Sequence, residues 1–305
     1  MSIELTILGC HSATPRENAH PTSQIVTIKN HTFLVDCGEG TQVQLRKYSV
    51  KFNKIKHIFI SHLHGDHFYG LIGLISTFRL LNRETELHVY APKGLKEIIT
   101  LQLKLSKSWT QYPLYFHELS STKSEIIFED EKVIVSTIPL SHRIYTNGFL
   151  FKEKLGERKL NMEAIAYYPD IKICDYQNLK NGNDFKLDDG TILKNSKLTL
   201  APNKPLSYAY CSDTEYYPEI TTIINNIDGL YHEATFLNDK EVLAKTTKHS
   251  TAQHAAEIAK MAQVKKLIIG HFSSRYKNKD GFLSEAKNVF KNTLLAEEGK
   301  VFKIM

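Results

Sequence analysis

Three imidazoles and one carboxylate fall within six residues, His62-Leu63-His64-Gly65-Asp66-His67. Neutral imidazole and carboxylate are the ligands that borderline divalent cations such as zinc take, so this density of donors reads as part of a metal site. The motif directly follows an apolar run, residues 55–60, with the character of a buried strand. A dinuclear centre needs about six to eight protein ligands including a bridge. The remaining ligands must therefore come from elsewhere in the chain, and a His or Asp just past an apolar strand is the criterion for finding them. Three residues meet it: His142 after residues 133–138, Asp213 after residues 208–211, and His271 after residues 267–270.

Those ligands need a scaffold of strands. Residues 3–8, 24–28, 32–35, 55–60, 87–90, 133–138, 208–211, 229–231 and 266–269 have strand character, with β-branched residues between Gly, Pro or Asn. The segment after His67 turns helical through Leu71, Leu74, Ile75 and Phe78, and residues 94–105, 217–225, 252–262 and 283–293 also read as helices. The alternation predicts an α/β protein with two sheets inside and helices outside, a four-layer αββα sandwich. One domain over residues 1–305 is expected, interrupted at 152–205 by an inserted arm or extended loop system. That stretch is rich in Lys, Asn, Asp and Gly, with Lys152, Lys154, Arg158 and Lys159 at its start.

Bulk composition narrows the class. The chain has 305 residues, enough for a large core, and its 42% hydrophobic and 24% charged residues are ordinary for a globular protein. No apolar run approaches a membrane span, and Met1-Ser2-Ile3-Glu4-Leu5 lacks signal-peptide character, so a cytoplasmic location is expected. Cys10, Cys37, Cys174 and Cys211 form no CxxC pair, which argues against a disulfide framework or a zinc ribbon. A net charge of +6 permits a polyanionic partner without requiring one.

The other histidines carry weaker signals. His11, His20, His57, His88 and His117 lie at loops or strand edges and read as structural or surface residues. His232 ends a strand and could support the ligands. His249 precedes Ser250-Thr251, either of which could cap the following helix. Beside a phosphate, His249 could serve as a proton donor.

The pattern His62-x-His64-x-Asp66-His67 with distant His142, Asp213 and His271 resembles the metallo-β-lactamase-fold hydrolases. Asp36-Cys37-Gly38-Glu39-Gly40-Thr41-Gln42, His232-Glu233-Ala234-Thr235-Phe236, His249-Ser250-Thr251 and His271-Phe272-Ser273-Ser274-Arg275-Tyr276 resemble motifs of the tRNase Z endoribonucleases. The likeness runs from Ile7 nearly to the C-terminus. It implies two zinc ions per subunit: His62, His64 and His142 would hold one, Asp66, His67 and His271 the other, and Asp213 would bridge them. It further implies precursor tRNA as substrate, a homodimer, and an arm that grips the tRNA elbow. In that family the arm's tip is often Gly-Pro-rich. Residues 165–185 instead carry Tyr167-Tyr168-Pro169-Asp170 and no Gly-Pro pair.

The expected chemistry is hydrolytic. Asp66 would both ligate a metal and orient or deprotonate the attacking water, and His249 would protonate the departing ribose 3′-oxygen, with Glu233 holding its ring. Asp36 is expected to brace the metal loop by hydrogen bonding. The products would be a 3′-hydroxyl on the tRNA and a 5′-phosphate on the trailer. The alternatives are a metal-dependent phosphodiesterase or arylsulfatase-like hydrolase of small esters on the same fold, and a nonhydrolytic RNA-binding protein. Filled ligand positions weigh against the last.

Overall fold

A computed structural model describes residues 2–14 and 16–305. Two compact units result: one runs to Lys152 and resumes at Leu206, and the other is Glu153–Pro205. The first unit holds two seven-stranded sheets. One has the spatial order Val301–Ile304, Ile3–Gly9, Ser23–Ile28, His31–Val35, Ile55–Phe59, Leu87–Pro92 and Leu114–Leu119. The other runs Thr293–Leu295, Leu267–Gly270, Gly229–Glu233, Ser207–Cys211, Asn147–Glu153, Val133–Pro139 and Ile126–Glu129.

Alternation along the strands builds the layers. In His31–Val35, Phe33 and Val35 join the core between the sheets, while Leu34 joins a second core beneath helices. Phe33, Phe59, Phe149 and Phe151 meet there with ring centroids 5.3–5.7 Å apart. Each is completely buried, which stabilises the sandwich by about 1.5–3 kcal/mol per ring. Helices Leu71–Leu80 and Leu95–Leu105 cover the first sheet through Leu71, Leu74, Ile75, Phe78, Leu95, Ile99 and Leu103. Ala252–Met261 and Asp280–Val289 pack on the second through Ala255, Ala259, Phe282 and Ala286. The αββα architecture expected from the sequence is therefore the one observed.

Several boundaries differ. The helix expected at 217–225 is only a 3₁₀ turn, Pro218–Thr222. The helix expected at 283–293 is Asp280–Val289, because Phe282 and Ala286, four residues apart, supply its buried face. Thr293–Leu295 instead pairs in parallel with Leu267–Gly270. Strands Leu114–Leu119 and Asn147–Glu153 escaped sequence reading because His, Glu, Asn, Gly and Lys interrupt their apolar pattern.

The second unit spans nearly the stretch expected as an inserted arm or extended loop system, 152–205. It has its own cluster of Ile165, Ile171, Leu179, Leu193 and Leu198. Short helices and two two-stranded ribbons surround that cluster. Asn195, nearly buried, ties it together by donating to the carbonyls of Leu179 and Asn183 at 2.8 Å.

Candidate metal centre

The strand-end residues converge because their strands run parallel. Ser207–Cys211, Gly229–Glu233 and Leu267–Gly270 are neighbours with Cys211 opposite His232 and Glu233 opposite Gly270. Their carboxyl ends therefore deliver Asp213, Thr235 and His271 to one edge. In the first sheet Val35 lies opposite Phe59, which brings Asp36 beside Ser61 and the histidine motif. Close backbone approach seals this junction: a Cβ on Gly70 would lie 2.1 Å from the Gly38 carbonyl, and one on Gly38 would lie 2.5 Å from that of Asp66. Asp36, Asp213 and His271 all adopt left-handed backbone, with φ of 55°, 61° and 61°. Non-glycine residues in this region concentrate where surrounding structure holds them for function.

All seven predicted metal ligands come together. His62, His64, His142 and Asp213 form one potential cation-binding group, and Asp66, His67, Asp213 and His271 form another. Within the first, His64 Nδ1 lies 3.0 Å from His62 Nε2 and 3.3 Å from His142 Nε2. Asp213 Oδ2 is 3.6 and 3.7 Å from His62 and His142 Nε2. Its other oxygen, Oδ1, lies 3.2 Å from Nε2 of both His67 and His271. Asp66 Oδ2 completes that group at 3.4 Å from the same two nitrogens. Tetrahedral zinc with bonds near 2.05 Å separates its donors by roughly 3.3 Å, so these spacings suit such an ion.

Hydrogen bonds behind the ligands fix which nitrogen faces inward. His67 Nδ1 donates to Asp36 Oδ2 at 2.7 Å, and its buried Nε2 has no hydrogen-bond partner. His142 Nδ1 donates to the Lys248 carbonyl at 2.8 Å. Ser61 spends its proton on Asp36, so its oxygen accepts from His62 Nδ1 at 3.0 Å. Thr235 likewise spends its proton on Glu233 and accepts from His271 Nδ1 at 2.8 Å. With Nδ1 so engaged, each of these four rings turns Nε2 toward the cluster, the atom through which it would bind a cation. The residues present therefore fit a pair of bound metal ions.

Charge points the same way. Burial pulls the His62, His64 and His142 imidazoles below their ordinary range. Burial acts on His67 as well, but Asp213, Asp66 and Asp36 overcome it and hold the ring well above that range. Against burial, His271, His67 and His62 hold the Asp213 carboxyl well below the usual carboxylate range. Around His67 the protein thus demands positive charge, from a proton or from a cation.

His249 stands beside this cluster, its ring stacked on His271 with centroids 5.4 Å apart. Its Nδ1 pairs with buried Glu233 Oε1 at 2.8 Å. Burial lowers its pKa, but Glu233 outweighs that and raises it to about 9. His249 also lines a cavity of about 360 Å³ together with Asp66, Asp213, His271, Arg143 and Arg275. His232 does not join the ligands: it is buried within its strand and its Nδ1 bonds to the Glu233 carbonyl at 2.7 Å. Thr251, rather than Ser250, caps the helix after His249.

Asp36 braces the metal loop as expected, and sequence reading overlooked its partners Ser61 and Tyr210. Asp36 proves saturated, with Oδ1 accepting from Ser61 N and Oδ2 from His67 Nδ1, Ser61 Oγ and Tyr210 Oη. Ser61 immediately precedes the motif, and Tyr210 lies on the strand leading to Asp213. Either position could have been inspected for a polar group aimed at the ligands. Arg143 beside His142 and Arg275 in the last motif were legible as cations next to ligands.

The sandwich with ligands gathered at its strand ends defines a metallo-β-lactamase-fold protein. The metallo-beta-lactamase fold protein YhfI from Bacillus subtilis superposes with a TM-score of 0.69 at 18% identity, covering 99% of both chains. Human tRNase Z, short form, superposes with a TM-score of 0.73 at 27% identity, again covering 99% of each. Ribonuclease Z of Bacteroides fragilis is 46% identical over 295 residues, 97% of this chain and 97% of that protein. The chain belongs to the ribonuclease Z family, and its first half falls as well within the family described as "Anti-Pycsar protein Apyc1", matched over residues 3–158.

Proposed function

We propose that this protein is a zinc-dependent endoribonuclease that removes the 3′ trailer from precursor tRNA. Membership of the ribonuclease Z family supports the substrate and the hydrolytic reaction. The observation that carries the dinuclear reading is Asp213, whose two oxygens each face a different ligand group. His62, His64 and His142 would hold one zinc and Asp66, His67 and His271 the other, with Asp213 between them. Bound zinc would supply charge to neutralise the nonbridging phosphate oxygens and would acidify a water.

The chain's own groups handle the protons. Asp66 lines the cavity and would orient the attacking water and accept its proton. His249, with its pKa near 9, carries a proton at neutral pH. Its Nδ1 is engaged by Glu233, which leaves Nε2 to protonate the departing ribose 3′-oxygen. Water, not the 2′-hydroxyl, is then the nucleophile, and the products are a tRNA 3′-hydroxyl and a trailer 5′-phosphate.

Cleavage of end-labelled precursor tRNA, with and without chelator, tests this reading. A single chelator-sensitive cut after the discriminator base is expected; a 2′,3′-cyclic phosphate product would rule the mechanism out. No cut, with small phosphodiesters still hydrolysed, would favour the small-ester hydrolase instead.

The unit Glu153–Pro205 serves in this proposal as the tRNA-gripping arm. Its basic start, Lys154, Arg158 and Lys159, suits a phosphate backbone. Lys152 and Ser207 are register partners on adjacent strands, so the unit can be excised with a short linker. Excision should weaken precursor cleavage by at least about tenfold through KM while sparing bis(p-nitrophenyl) phosphate hydrolysis. Equal loss on both substrates would contradict the role. A homodimer in the cytoplasm completes the proposal on the strength of the family likeness, with the dimer open to light scattering. No helix among the described residues is long and apolar enough to cross a membrane.

A further inference from the structure

We propose that the Thr235 hydroxyl couples the Glu233–His249 pair to the metal position that includes His271. Thr235 is nearly buried and its oxygen lies 2.5 Å from Glu233 Oε2, 2.8 Å from His271 Nδ1 and 3.3 Å from His249 Nδ1. A hydroxyl has one proton. With that proton given to the Glu233 carboxylate, the oxygen can only accept from His271, which pins the His271 proton on Nδ1 and bares Nε2 toward Asp66 and Asp213. Thr235 is thus a positioning residue, acting through Glu233 and His271.

The direction of the hydroxyl depends in turn on Glu233. Its Oε1 accepts from Thr214 N and His249 Nδ1, each at 2.8 Å, and its Oε2 accepts from Thr235 N and Thr235 Oγ1. All four neighbours donate, which only a carboxylate satisfies. In Glu233→Gln the amide oxygen can serve one side only. Placed toward Thr214 and His249, it leaves the NH₂ facing Thr235, and the hydroxyl must turn to accept from the amide and donate to His271 Nδ1. That reversal moves the His271 proton to Nε2 and blocks the lone pair. A change in the proton-donor pair therefore reaches the metal position through one oxygen.

The inference rests on His271 being a metal ligand, and the experiment separates the two claims. Zinc dissociation constants of purified protein are measured by competition with a chromophoric chelator, without substrate. Thr235→Val should weaken one of two zinc ions by about 10–100-fold, the usual scale for losing the hydrogen bond behind a ligand histidine, and Thr235→Ser should restore it. Glu233→Gln should weaken the same zinc in the Thr235 protein and add no further loss in the Thr235→Val protein. Where Val is poorly tolerated at this buried position, Thr235→Ala makes the same comparison, with folding followed by circular dichroism. Unchanged affinity in Thr235→Val, no rescue by Ser, or additive losses in the double variant would overturn the coupling. If His271→Ala still binds two zinc ions as tightly as the unaltered protein, the ligand assignment itself falls.

Discussion

His64 and His67 lie three positions apart in one motif yet meet different surroundings. His64 is only partly buried, turns Nδ1 inward, and belongs to a group with three imidazoles and one carboxylate oxygen. His67 is completely buried and faces Asp66 and Asp213, with Asp36 behind it. Burial is the leading influence on the first group, outweighs the nearby Asp213 carboxylate and favours neutral rings. Carboxylates govern the second and overcome burial. One position is thus built mainly from neutral donors. The other is an anionic pocket that needs a positive charge to be stable at all.

The largest test of that contrast uses the metal-free protein. His67→Ala removes the cation that faces Asp36, Asp66 and Asp213, leaving buried carboxylates uncompensated. Chemical denaturation without metal should show a loss of about 3–5 kcal/mol, the scale of stranding a buried charge. His64→Ala, which strands nothing, should stay within about 1 kcal/mol of the parent. Equal losses in the two variants would erase the distinction between the positions.

His249 extends the anionic side outward, because Glu233 raises its pKa to about 9. A proton donor is active while protonated, so the reaction should fail as pH rises through that value. Glu233→Gln removes the raising charge while burial still lowers the pKa, which moves the alkaline limb toward neutral pH. At pH 8.5 cleavage should fall by about 10–100-fold, within the usual contribution of a general acid. A pH–rate profile with an unmoved alkaline limb would detach His249 from this role.

How much of this could be read from residue order follows from what each residue does. Ligands announce themselves by type, and parallel strands explain why position past an apolar run found Asp213 and His271. Bracing residues are chemically ordinary. Ser61, Tyr210 and Thr235 are hydroxyls like many others, and only their distances to Asp36, His67 and His271 distinguish them. The strand Asn147–Glu153 was hidden because all its residues but Lys152 are buried, so its polar Asn, Gly and Glu positions show no apolar alternation. The internal core of Glu153–Pro205 was hidden for a different reason. It consists of five small contributions spread over 34 residues, Ile165 to Leu198, too sparse to show a period.

The smallest contrast lies in the hydrogen bonds behind His67 and His62. Asp36 accepts from His67 as a carboxylate at 2.7 Å, whereas Ser61 accepts from His62 as a hydroxyl at 3.0 Å. A charge-assisted bond is roughly twice as strong as a neutral one. Asp36→Asn must also turn an NH₂ toward donors, since Ser61 N, Ser61 Oγ, His67 Nδ1 and Tyr210 Oη all give protons to the present carboxylate. Zinc affinity at the His67 position should therefore drop by about 10–100-fold. Ser61→Ala deletes only the hydroxyl, leaving the His62 Nδ1 proton without its acceptor and Asp36 with three of its four donors. Its effect should remain below about tenfold and fall on the His62 position. Chelator competition resolved into two steps reads both variants. A larger loss in Ser61→Ala than in Asp36→Asn would mean that the hydroxyl, not the carboxylate, holds the motif in place.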